Sequence, residues 1–332
     1  MAAVYGSFDF VNISTNQQMI DLFAHLHPHR PVLYTLVISL GILWPVVIVG
    51  NVAVLYAIWK DPLKLLRPSP TITIIGSMAV CDLMVGIGYI PSYMYWFIWR
   101  GLLEKQGDNN LIDQLHVFFD CMNYISLYHV LYLTCDRFIA VHKPLHHSSI
   151  ITRKRCITAI VPTWITWAAI GILSTFYTSA VYAGVIFICV IVAILLIFIL
   201  SGYILHSIKR HSKIITDESA NNSLRDAINA RERKTTKLIA IVVGIFLVSF
   251  LPWFISGILL LLCSPCYPNA SILISITFLS ANLLTANSGI NVYLYAFRLE
   301  RFKKTFALWC RKSREAEVLP RVEQEDVFNT KL

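Results

Sequence analysis

Apolar residues along the chain fall into blocks of about 20 to 27, separated by short polar stretches, and about 20 apolar residues span a bilayer's hydrocarbon core. Windows of about 19 residues place apolar segments at 34–59, 71–98, 157–176, 180–206, 236–262 and 271–297. A more polar segment at 115–141 still lacks helix breakers. The pattern predicts an all-α integral membrane protein, a bundle of seven transmembrane helices. It divides the chain into an N-terminal tail at 1–33, the membrane domain at 34–297, a short amphipathic juxtamembrane helix at 298–312 and a polar tail at 313–332. The first 33 residues lack a basic start and a compact apolar core with a small-residue cleavage site. The first span is therefore expected to act as the targeting anchor.

Composition narrows this reading. Of the 332 residues 56% are hydrophobic and 14% charged, against about a quarter charged in a soluble domain. The formal charge of +9 is a matter of topology. Of the 28 Lys and Arg residues, 25 fall on one side of the predicted membrane, and only Arg30, Arg100 and Lys105 on the other. Cytoplasmic loops retain positive charge, which predicts a cytoplasmic C-terminus, an extracellular N-terminus and attraction to anionic inner-leaflet lipid at the plasma membrane. A nucleic-acid partner is not needed to explain the charge. Asn12-Ile13-Ser14 and Asn269-Ala270-Ser271 are then sequons on the outer side, with Asn12 and Asn269 as candidate glycan sites.

Polar groups inside a bilayer are costly and mark function or helix-to-helix bonding. Asp82 sits mid-span, with Asn51 on the first span, Ser126 on the third, and Asn287, Ser288 and Asn291 on the seventh. One acid with neutral oxygen ligands suits a hard cation such as Na⁺, or a proton. The same residues also suit interhelical hydrogen bonding, and the sequence leaves both readings open.

The third span ends Leu133-Thr134-Cys135-Asp136-Arg137-Phe138, followed by Pro144-Leu145. With Asn51, Asp82, Trp164 in the fourth span, Phe246 and Pro252 in the sixth, and Asn291-Val292-Tyr293-Leu294-Tyr295 in the seventh, the order resembles the rhodopsin-like (class A) G-protein-coupled receptors over 34–312. Several positions depart from that pattern. Val292 stands where the family has Pro, Phe250 where a Trp is usual, and the fifth span has no proline. The top of the third span has no cysteine and the second outer loop is nearly absent, so the usual disulfide between them cannot form. These features are closest in pattern to the melanocortin, cannabinoid, lysophospholipid and adenosine group. Ser92, Ile112 and His116 stand where the melanocortin acidic cluster would be.

The resemblance implies a receptor, not an enzyme, that binds an extracellular small molecule or peptide and activates a heterotrimeric G protein by outward movement of the sixth helix. Arrestin and receptor kinases follow as further partners. Arg137 would pair with Asp136 and with Glu232 at the foot of the sixth span; Pro252 would be the pivot, and Tyr203 and Tyr295 would swing into the opened core. A solvated Arg137–Glu232 pair and a static kink are the plainer alternatives. The Asp82 cluster would hold an allosteric Na⁺. No other cofactor is expected: retinal needs a lysine in the seventh span, where Thr285 stands instead. A transporter would show repeat symmetry and an enzyme a catalytic pair, and neither pattern is present; a non-signalling scaffold is the remaining rival.

For the ligand, the position of the ammonium counter-ion in aminergic receptors is Phe119 here. Asp120, one residue on, could line an aromatic pocket with Phe119, Phe250, Trp253 and Phe254, or could turn to Asn123 or His129 for structure. Cys263 and Cys266, in an oxidising loop, are expected to form a disulfide. Cys310, beyond the amphipathic helix, is a candidate palmitoylation site. The terminal Thr330-Lys331-Leu332 has the form that docks into a PDZ domain.

Overall fold

The computed structural model describes residues 30–103, 110–176, 180–217, 243–259, 263, 270–299 and 301–309. Among them, five helical segments are long and apolar enough to cross a membrane: Arg30–Lys60, Pro70–Trp99, Arg153–Leu173, Ile188–Ser207 and Ser271–Val292. The third span is the helix Asn110–His142, and the sixth is described over Val243–Leu259. The protein is a multi-pass helical membrane protein.

The first span shows why these helices need lipid. Its 31 residues extend about 46 Å at 1.5 Å per residue, past the roughly 30 Å of the hydrocarbon core. Leu33, Leu36, Leu40, Val47, Val54 and Ala57 face inward, while Ile38, Ile42, Val49 and Val52 point out of the bundle, Val49 with 67% of its surface exposed. An apolar outer face is the reverse of a soluble helix and is stable only against hydrocarbon.

Several helices run past their apolar stretches. The first begins at Arg30 and the third at Asn110, and the fifth, Ala180–Asp217, continues well beyond the 206 expected. Hydropathy marks where lipid ends, whereas a helix stops only at a breaker, so the polar extensions were invisible to it. The seventh helix ends at Arg298, and a juxtamembrane helix is described over 301–309.

The second span departs most from a single uniform helix. It runs Pro70–Met84, widens into a π turn at Val85–Tyr89, resumes over Ile90–Trp96 and widens again over Phe97–Leu102. Pro91 removes a backbone donor at the first widening. The Ile90 N–H reaches back to the Val85 carbonyl, so the next carbonyl, Gly86, would be served by residue 91, and proline has no N–H. The indole Nε1 of Trp44 on the first span donates to Gly86 O at 2.9 Å and satisfies it.

The third span packs against the second, fourth and fifth, and the seventh packs against the first. At the latter contact a Cβ on Gly50 would lie 2.9 Å from Val292, so only glycine lets the two helices approach this closely. Val292 keeps its N–H, and the seventh helix runs uninterrupted from Ala270 to Arg298.

Candidate functional site

The polar residues of the spans gather at mid-bundle. Asp82 is buried, and its Oδ1 accepts from Ser288 Oγ at 2.7 Å and from Ser126 Oγ at a longer 3.4 Å, while Asn291 Nδ2 lies 3.5 Å from Oδ2. Asn51 Nδ2 donates to Val47 O at 2.9 Å and across to Ser288 O at 3.2 Å, which ties the first span to the seventh. Asn123, Ser126, Phe246, Phe250, Leu284, Asn287 and Ser288 line an adjoining cavity with room for roughly one water molecule.

Asn287 carries the clearest unmet demand in this cluster. Among the described residues its buried Nδ2 has no hydrogen-bond partner. Meanwhile Ser249 Oγ has one proton and two acceptors, Ile245 O at 2.9 Å and Asn287 Oδ1 at 3.5 Å. Turning the amide by 180°, an isosteric change, resolves both: Nδ2 then donates to Ser249 Oγ, and Oδ1 takes the vacated place beside the cavity. The set is then one carboxylate with neutral oxygens from Ser126, Ser288 and Asn287, a chemistry that fits a hard monovalent cation or an ordered water. Among the described residues no group of three or more His, Cys, Asp or Glu side chains could hold a metal.

At one mouth of the bundle, Asp136 is fully buried and Arg137 nearly so. Arg137 donates from Nη2 at 2.5 Å and from Nε at 3.0 Å to Asp136 Oδ2, which also accepts from Thr71 Oγ1 at 3.0 Å. His147 Nε2 lies 2.8 Å from the other oxygen, Oδ1. Phe138 stacks on His142 at 4.2 Å and meets Tyr203 edge-on at 6.4 Å. Pro144 opens a short turn that leaves Leu145 90% exposed, an apolar side chain with no covering.

Between these two clusters Trp164 Nε1 donates to Ser77 Oγ at 2.9 Å, and Ser77 Oγ lies 2.7 Å from His129 Nε2. The other ring nitrogen faces the Ile125 carbonyl at 2.7 Å, so it must carry the proton, and Ser77 donates to Nε2. One hydroxyl thus joins the second, third and fourth spans.

In the sixth span, Phe246 stacks on Phe250 at 5.6 Å, and Phe250 contacts Trp253 at 5.3 Å and Phe254 at 6.4 Å. Ser256 Oγ donates to Pro252 O at 2.7 Å, one turn beyond the Val248 carbonyl that Pro252 leaves without its helical donor. Phe119 does not join this group as the sequence suggested. Its ring is turned to the second span, over Gly88, where a Cβ would come within 2.2 Å of it. A helix turns about 100° per residue, and span-level reading does not fix that angle. The side chains of Asp120 and Tyr295 lie outside the described residues, as do Glu232, Cys266, Asn12, Asn269, Cys310 and the C-terminal tail. Cys263 is disulfide-bonded, with its partner also outside them.

Sequence reasoning missed His147, Thr71, Ser77, His129 as a bridge, and Trp44. His147, eleven residues after Asp136, had a weak signal in the Pro144 turn that brings the chain back under the third span. The others meet their partners only through tertiary packing.

Seven packed spans around a buried acid–arginine mouth define a class of helical membrane receptor, and comparison with known proteins agrees. The family model described as "7 transmembrane receptor (rhodopsin family)" matches residues 50–184. Melanocortin receptor 4 of Danio rerio is 26% identical over 264 residues, covering 78% of this chain and 79% of that protein. Trace amine-associated receptor 7f of Mus musculus is 27% identical over 303 residues, covering 80% and 77%. Over residues 50–184 the chain is similar to the rhodopsin-like receptor family, and these likenesses support a G-protein-coupled receptor rather than an enzyme.

Proposed function

We propose that the Arg137 mouth faces the cytosol of a plasma-membrane receptor and is where the G protein engages, with the N-terminus outside. The observation that carries this reading is the buried Asp136–Arg137 pair, capped by Thr71 and His147. Breaking a buried pair exposes an uncompensated charge, so the pair is a two-state element that a moving sixth span can bias. Pro252 is the pivot, with Glu232 as a second restraint on Arg137 and Tyr203 and Tyr295 as partners in the opened core. The exposed Leu145 offers an apolar anchor beside the mouth.

The Asp82 pocket holds Na⁺ in the inactive state; the buried Asp82 carboxylate with the Ser126 and Ser288 hydroxyls beside it supports this. For the ligand, the two named relatives are a melanocortin and a trace amine receptor, yet Phe119 replaces the aminergic counter-ion. The ligand cavity is aromatic, built on Phe250, Trp253 and Phe254, with Asp120 as its candidate anionic anchor. The Cys263–Cys266 disulfide, glycans on Asn12 and Asn269, palmitoyl on Cys310, and arrestin, receptor-kinase and PDZ partners complete the reading.

The test is expression in cells carrying promiscuous G-protein reporters, challenged with amines, short peptides, nucleosides and lipids, beside Arg137→Ala at matched surface level. A response from the wild type that Arg137→Ala abolishes is expected. Equal signalling by both would remove the mouth from the mechanism.

A further inference from the structure

Resting on the reading of Asp136 and Arg137 as the coupling switch, we propose that His147 positions Asp136 and makes coupling respond to cytosolic protons. His147 opens the short helix His147–Ile150 behind the Pro144–His146 turn. That helix is fastened from the fourth span: Arg155 Nη1 donates to Ser149 O at 3.0 Å and to Ile150 O at 2.8 Å. The imidazole is thus held against the third span by the fold, with its side chain 26% exposed while Asp136 is fully buried.

The groups that face His147 settle the sign of the effect. From the third span these are Asp136, at 2.8 Å from Nε2, and Arg137, which holds the other carboxylate oxygen. The second span brings Thr71, which does not titrate in this range, and the fourth brings Arg155 and the Cys156 thiol, the latter in electrostatic contact with Asp136. His146, at the end of the preceding turn, is exposed. Among the described residues, one carboxylate therefore faces two groups that can each be its cation. When imidazole is neutral, withdrawal of Arg137 leaves Asp136 buried and uncompensated, which is costly. When it is protonated, His147 remains as a substitute counter-ion, and the repulsion between the two cations also favours Arg137 leaving. His147 sits on elements tied to the third and fourth spans, so it keeps this place when the sixth moves.

The open state consequently binds the His147 proton more tightly than the closed state. By linkage, basal coupling rises with acidity. The exposed edge of the ring gives protons access from the aqueous side.

The experiment uses the full chain in lipid nanodiscs, where both faces meet the buffer, with basal nucleotide exchange measured on purified Gs, Gi and Gq heterotrimers. His147→Gln keeps an N–H for Asp136 but cannot titrate in this range. The ratio of wild-type to His147→Gln exchange should rise about three- to tenfold between about pH 8 and pH 6. His147→Lys, charged throughout, should be high at both ends and flat. Parallel wild-type and His147→Gln profiles, or a ratio that falls with acid, would overturn the proposal. Arg137→Ala separates the two layers. If it is silent while the profiles run parallel, only the proton role fails; if it still couples, the switch reading itself is wrong.

Discussion

At the Arg137 mouth, Asp136 draws donors from Arg137, Thr71 and His147, whereas at the opposite end Tyr89, Tyr93, Phe97 and Phe278 touch ring to ring at 4.4, 5.3 and 5.1 Å. Hydrogen bonds need named partners at fixed angles, and a buried group that loses its partner is left with the full cost of desolvation. Ring contacts need volume and tolerate many orientations. The polar end can therefore occupy discrete alternative pairings, which a switch requires. The aromatic end can adjust its shape to an occupant while keeping most of its cohesion.

The contrast is broken most sharply at Gly88. Gly88→Val places atoms where the Phe119 ring sits and should destabilise the receptor by about 3 kcal/mol in thermal unfolding, while adding Phe119→Ala should recover part of the loss. If Gly88→Val is neutral, the aromatic end is looser than its packing implies. At the polar end, Ser77→Ala strands both Trp164 Nε1 and His129 Nε2 and should cost about 2 kcal/mol, despite removing a single oxygen.

A third prediction concerns the loop after the first span. Burial alone would raise the pKa of Asp61, but the backbone N–H groups of Arg67, Leu66 and Leu65 and the Arg67 charge together hold it below the usual carboxylate value. A depressed acid contributes stability that is present above its unfolded pKa, near about 3.9, and is lost as pH falls through its lower folded value. Asp61→Ala should therefore cost about 1–2 kcal/mol at neutral pH, a gap that closes below about pH 4. A gap that persists in acid would mean that packing, and not the charge, holds the loop. The smallest effect is expected for Phe278→Leu, about 1 kcal/mol, because an apolar side chain of similar bulk keeps most of the contact.

The chain order of spans and the depth of Asp82, Ser126, Ser288 and Asn291 were legible because hydropathy and rare intramembrane polar residues are one-dimensional signals. The structure does bring those four together. The facing of Phe119 was not legible, since rotation about the helix axis depends on neighbours, and here the neighbour is the gap left by Gly88. The π turns were also hidden: Pro91 announces a missing donor, but only packing decides whether the helix kinks or widens. His147, Ser77 and His129 are ordinary polar residues in sequence and acquire meaning from partners up to 87 residues away in the chain.

The indole of Trp44 stands in for a donor that Pro91 lacks, and this makes the two positions contingent on one another over evolutionary time. With an alanine at position 91, the backbone itself would serve the Gly86 carbonyl, and position 44 would be free to drift among apolar residues. Once proline is fixed, loss of the tryptophan becomes harmful, although the two lie on different helices. A lineage could therefore shed both residues readily in the order Pro91 first and Trp44 second, whereas the reverse order would pass through a weakened intermediate. Reconstructed ancestors carrying each single change would display that asymmetry as a ratchet.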